Sequence, residues 1–174
     1  MTDPVGDSMN EALFQRAVAI TLVHEGGDAI FMDPLGGLTK WGIAANENPQ
    51  YTPDQIKALT QDDALNYYRT KWWAPFHWSE LPPDVACKCF DIAVDIGSEP
   101  LIHCLQRACW AAGSHVKEDG VLGMLTITAA NDANPTALLP ALKSECAAHY
   151  RLVEQNKGGA AANMLNGWLN RAYS

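Results

Sequence analysis

Basic residues are scarce in this sequence. Twelve Lys and Arg stand against 20 Asp and Glu, giving a net charge of −8 and a pI of about 4.9. That balance argues against nucleic acid or an anionic membrane surface as the main partner, because both reward clustered Lys and Arg. Long apolar runs are missing too. No stretch approaches the ~18–20 continuous apolar residues of a membrane helix, so no membrane insertion is expected. The opening Met1-Thr2-Asp3-Pro4-Val5-Gly6-Asp7 is acidic and offers neither the basic nor the apolar segment of a signal peptide. Synthesis in the cytosol without an ordinary export signal is the expectation. Cysteines are few and odd in number: Cys87, Cys89, Cys104, Cys109 and Cys146 suit reduced thiols rather than a disulfide framework. A zinc site from Cys87, Cys89, His103 and Cys104 lacks the usual spacer between paired cysteines and falls in helix-like, Ala-rich text. No metal and no organic cofactor is therefore expected.

What remains is a globular chain of 174 residues, 48% hydrophobic and 18% charged. A chain of this length buries roughly 70% of its unfolded surface on folding, enough for a core without metal or disulfide. Its text is mainly helical. From Asn10 an apolar stripe runs through Phe14, Val18 and Thr21/Leu22 at the spacing of one helix face, and Gly26-Gly27 end it. Ala29 to Asp33 and Leu38 to Ile43 flank Pro34-Leu35-Gly36-Gly37 and read as a small hairpin. Thr52-Pro53-Asp54-Gln55 starts a helix with Thr as cap and Gln as its reciprocal partner. Thr60-Gln61-Asp62-Asp63 caps the next, which carries Tyr67, Tyr68, Trp72 and Trp73. Further helices open at Pro82-Pro83-Asp84, near Pro100 and at Asn134-Pro135, with a turn at Asp119-Gly120 and a terminal helix over Ala160 to Arg171.

Glu25 continues the stripe of the first helix one step beyond Thr21, at the helix end and on the core-facing side. Partial burial and the negative end of the helix dipole both favour the protonated carboxyl, the state a general acid requires. The alternative is a helix-end Glu turned into solvent. Asp33 ends the first strand and Thr39 lies on the second, so the helix end and the hairpin would face each other across a cleft. Asp33 would bind a water or stabilise developing positive charge, and Thr39 would orient that water. An acid and a second polar group across a cleft suit glycoside hydrolysis with inversion. Asp33 also reads as an Asx-turn former before Pro34.

These residues carry a resemblance. His24-Glu25-Gly26-Gly27, then Asp33-Pro34-Leu35-Gly36-Gly37-Leu38-Thr39, then Gly42-Ile43, resembles the signature of glycoside hydrolase family 108, the N-acetylmuramidases and phage endolysins. The likeness continues through Tyr68-Arg69-Thr70-Lys71-Trp72-Trp73, Leu81-Pro82 and Phe90-Asp91-Ile92-Ala93-Val94-Asp95-Ile96-Gly97. Leu105-Gln106-Arg107-Ala108 and Asp119-Gly120-Val121-Leu122-Gly123-Met124-Leu125-Thr126 are similar to the family's C-terminal peptidoglycan-binding region. The chain departs from the pattern at Asp28, where an aromatic is common, at Leu35 inside the Pro-Gly-Gly run, and at Asp95, where Asn is common.

The resemblance implies a mainly α fold, a lysozyme-like helical bundle with a small β-hairpin beside the active-site cleft. It implies a catalytic region over residues 10–82 and a helical peptidoglycan-binding region over 83–170, packed as one globule. Glu25 matches the catalytic acid, and Asp33 and Thr39 are similar in spacing to the Glu-Asp-Thr arrangement of phage lysozymes. Among the clustered aromatics, Trp41, Tyr68 and Trp73 are the candidates for stacking on sugar, against the plainer reading that they fill the core. The implied activity is hydrolysis of the β-1,4 bond between N-acetylmuramic acid and N-acetylglucosamine. A lytic transglycosylase and a non-catalytic peptidoglycan-binding or secretion-assisting protein are the alternatives. An endolysin-type monomer is expected, acting on the wall in the periplasm after release from the cytoplasm.

Overall fold

In the computed structural model, residues 4–33, 36–157 and 159–174 are described. Pro34 and Leu35 of the expected hairpin turn, and Gly158 at the expected helix end, lie outside them. The chain divides into two compact units, Met1–Pro75 and Phe76–Ser174. The division falls ahead of Pro82-Pro83, where the sequence places the seam.

In the first unit, α1 spans Pro4–His24. Phe14, Ala17, Val18, Thr21 and Leu22 are its buried face, and the Thr21 hydroxyl donates to Ala17 O at 3.2 Å, so the one polar member of the stripe is satisfied within the helix. Phe14 meets Trp73 edge to face, with centroids 5.4 Å apart, while the Arg69 guanidinium lies 4.0 Å from the centre of the Phe14 ring. Two positive-φ residues, Gly26 and Gly27, end α1, as the sequence predicts.

A three-stranded antiparallel sheet follows, made of β1 (Phe31–Asp33), β2 (Gly37–Lys40) and β3 (Ile43–Ala44) in that order. The expected second strand, Leu38 to Ile43, is therefore broken. Lys40 pairs with Ile43, and Trp41 and Gly42 form a tight two-residue turn with φ of 55° and 72°. Both central residues of such a turn need positive φ to match the strand twist. Glycine adopts it freely; Trp41 is held there.

What holds it is α2 (Pro53–Ala58) and α3 (Gln61–Tyr68). Both begin at the caps read from the sequence, and in each the third helical residue bonds back to the cap: Gln55 to Thr52, as expected, and Asp63 to Thr60. Lys40 Nζ donates to Lys57 O at 2.9 Å and Leu59 O at 2.7 Å, and Trp41 Nε1 donates to Leu59 O at 3.2 Å. The carbonyls left open at the end of α2 are thus capped from the sheet. Ile43, Ile56, Leu59 and Ala64 form the core between these elements, with Trp41 packed on its margin.

The second unit is helical: α4 (Pro83–Ile96), α5 (Ser98–Ala111), α6 (Met124–Asp132), α7 (Pro135–Lys157) and α8 (Gly159–Tyr173). Val85 to Ala93 are all buried, the pattern of a helix enclosed on every side. Inside that run, Asp91 accepts from Arg171 at 3.0 Å and stands 3.5 Å from Lys88 Nζ, which in turn donates to Arg171 O at 2.8 Å. These bonds tie α8 to α4. All five cysteines are free thiols and buried in this unit.

Candidate active site

Glu25 is the first residue beyond α1, and its amide still donates to Thr21 O at 2.9 Å. The chain then turns through Gly26-Gly27, and Gly27 O accepts the Trp41 amide at 3.1 Å. That bond joins the end of α1 to the turn between β2 and β3. It brings Glu25 against Gly42, with Tyr68 on the same spot. A methyl group built on Gly42 would stand 2.8 Å from Glu25 Cγ and 2.9 Å from Cβ, and closer still to Tyr68 Oη. The Tyr68 hydroxyl donates to Trp41 O at 2.9 Å. The backbone amide, carbonyl and indole N–H of Trp41 are all engaged, which explains how a bulky residue keeps a left-handed conformation.

The chemical consequence is a carboxyl group on a rigid seat. Glu25 is half-buried, as its place on the stripe predicts. It sits at the negative end of the α1 dipole, backed by a turn whose geometry is fixed from three sides.

The other candidate residues fall as follows. Asp33 ends β1, with its backbone opposite Gly37. Thr39 lies in β2, is only 4% exposed, and donates its hydroxyl to Gly37 O at 3.0 Å. With its proton so engaged, Thr39 can only accept a hydrogen bond from a water. Trp41 is half-buried. Tyr68 and Trp73 do not offer a stacking face: they are 1% and 5% exposed. Tyr68 is the support of the Trp41-Gly42 turn, and Trp73 is anchored to α1 through Nε1 to Asn10 Oδ1 at 2.9 Å. Gly42 stands in the sequence signature, but its role behind Glu25 is not legible there. It has a signal, a Trp-Gly pair between short β-prone runs, but Leu38 to Ile43 reads equally well as one strand. Among the described residues no group of three or more His, Cys, Asp or Glu is disposed to hold a metal ion.

Two family models match the chain. Glycosyl hydrolase 108 covers residues 18–97, and a model described as a predicted peptidoglycan domain covers residues 101–173. The structure of Brucella abortus SagA is similar, with 25% sequence identity and a TM-score of 0.68 over 94% of this chain and 91% of that one. That likeness accords with a lysozyme-like, mainly helical fold carrying a small antiparallel sheet. No curated protein matches the chain.

Proposed function

Since residues 18–97 belong to the glycosyl hydrolase 108 family, a glycoside hydrolase family of N-acetylmuramidases, we propose that this peptidoglycan hydrolase cleaves the β-1,4 bond from N-acetylmuramic acid to N-acetylglucosamine. Glu25 is the general acid. The observation that carries this is its half-buried seat at the end of α1, against Gly42 and beside Tyr68. Glu25 protonates the leaving oxygen as the glycosidic bond breaks, oxocarbenium character develops at the anomeric carbon, and a water attacks the opposite face and releases one proton to solvent, from which Glu25 is reprotonated. Asp33, at the end of β1, steers that water or stabilises the charge. Thr39 accepts one of the water's protons in a hydrogen bond, consistent with its own proton being engaged on Gly37. Trp41 lines the approach for the sugar. Neither metal nor organic cofactor is required for this chemistry.

In the cell the enzyme is an endolysin-type protein, made in the cytoplasm and acting on the wall in the periplasm after release, as a monomer. Mass spectrometry of fragments released from purified sacculi tests the reaction. Reducing N-acetylmuramic acid ends are expected. Anhydro-muramic ends would instead make the protein a lytic transglycosylase, with the muramic 6-hydroxyl in place of water, and would remove Asp33 and Thr39 from the mechanism.

A further inference from the structure

The second unit contains a groove of about 570 Å³ between α5 and α7, closed at one side by the loop that leads to α6. Glu99, His103 and Arg107 recur at helical spacing along one face of α5, Glu145 and His149 do so on α7, and Glu118 comes from the loop. The loop is fixed by Gln106, which is fully buried. Gln106 Oε1 accepts from the amides of Asp119 and Gly120, each at 3.0 Å, and its Nε2 donates to Asp119 Oδ1 at 2.9 Å and Thr126 Oγ1 at 3.0 Å. Gly120, with φ of 72°, lets the loop close on His103: a methyl group there would stand 2.8 Å from His103 Nε2.

The groove is rich in acceptors and short of donors. Arg107 is the one permanent cation among the described residues that line it. Three of its five N–H donors are engaged: Nε to Glu145 at 2.6 Å, Nη1 to Glu118 at 2.5 Å and Nη2 to Cys104 Sγ at 3.4 Å. Three carboxylates thus line the groove with one guanidinium, which Glu118 and Glu145 share. Burial, and then the nearby Arg107 charge, lower the His149 pKa, so this ring is neutral near pH 7 and offers an acceptor. His103 Nδ1 is out of reach of solvent without a hydrogen bond, 3.5 Å from Glu118 Oε1. The remaining walls, Pro100, Ala148 and Leu152, are apolar. Such a groove fits a positively charged donor carried on an aliphatic arm.

Peptidoglycan has one group of that description. Its sugars are N-acetylated, its peptide ends are carboxylates, and only the diamino acid of the stem peptide bears a free ammonium on a methylene chain. We propose that the α5–α7 groove binds this ammonium, with Glu99, Glu118 and Glu145 as its acceptors and Leu152 and Pro100 against the methylenes. The proposal rests on peptidoglycan being the substrate, and not on the role of Glu25. The second unit then holds uncrosslinked stems while the first unit cuts the glycan.

Isothermal titration of the full-length protein with stem tetrapeptide whose N-terminus is blocked as an amide, as it is in the wall, and which contains no sugar, tests the groove apart from the cleavage reaction. Lysine-type and diaminopimelate-type peptides form two arms, and the tighter binder identifies the wall the groove is built for. Acetylation of the side-chain amine is expected to weaken binding at least roughly tenfold, the loss of one charge-assisted hydrogen-bond set. Glu99→Gln, at an exposed position in the first turn of α5, is expected to weaken the free-amine peptide several-fold and leave the acetylated one unchanged. Equal binding of acetylated and free peptide, no binding of either, or an undiminished affinity in Glu99→Gln would overturn the proposal. Loss of cleavage activity with these affinities intact would bear on Glu25 alone.

Discussion

Gly42 forms the back wall for Glu25: its missing side chain would lie 2.8 Å from Glu25 Cγ and 2.9 Å from Cβ. The acid keeps its place because nothing larger than hydrogen stands behind it. Gly42→Ala is expected to lower stability by about 1–3 kcal/mol through the strained φ alone. It should also lower the rate of sacculus lysis more than roughly tenfold by moving the carboxyl. Thermal melting and turbidity loss check the two parts, and an alanine variant with wild-type lysis would contradict the seating of Glu25.

Tyr68 supports the same turn from the other side. Tyr68→Phe removes the donor from Trp41 O and is expected to destabilise by about 1–2 kcal/mol. Because the ring is buried and meets no sugar, turnover should fall while KM for soluble glycan fragments stays unchanged. A rise in KM with unchanged kcat would return Tyr68 to the substrate-binding role that its sequence position suggests.

Such supports mark the limit of what the sequence reveals. Helix boundaries were legible because caps are local: Thr52 with Gln55, Thr60 with Asp63, and the prolines that open α4 and α7 act on their own neighbours. The half-burial of Glu25 was legible from the Phe14 stripe, a matter of period. The Trp41-Gly42 turn was not, because Trp at a positive φ follows no local preference and is stabilised by contacts from Gly27, Leu59 and Tyr68, all remote in sequence. Tyr68 and Trp73 read as cleft residues or core residues with equal ease, since aromatic spacing carries no information about which side is covered. The α5–α7 groove was invisible for the same reason, as it requires Glu118 to be brought to α5 by the Gln106 bonds.

Arg171 is the counter-charge of the buried Asp91. Arg171→Leu is expected to destabilise by about 3 kcal/mol, leaving the carboxylate in the core with the Lys88 ammonium 3.5 Å away. Urea denaturation measures this. Asp91→Leu combined with Arg171→Leu should cost less than the two single losses added together. Strict additivity would show that the pair is not coupled.

Acid sensitivity follows in part from Glu11 and Asp119. Hydrogen bonds from the Arg69 side chain hold the Glu11 pKa below its usual range, and the Gln106 side-chain bond does the same for Asp119. Each folded value lies below the unfolded one, so each contributes stability above the ordinary carboxylate range and loses it as the pH falls through the folded value. Urea midpoints measured from about pH 6 down to about pH 2 should fall on acidification. Glu11→Gln should flatten part of that fall, and an unaltered pH profile would show that Glu11 does not contribute.

The most direct measurement compares Glu25→Gln with the wild type on purified sacculi by mass spectrometry of the soluble fragments. The amide is nearly isosteric and keeps the packing against Gly42, but it has no acidic proton to give the leaving oxygen. Reducing N-acetylmuramic acid ends from the wild type, and none from a variant with the same melting temperature, is the result expected of Glu25 as the general acid. The same reducing ends released at a comparable rate by the folded variant would contradict it.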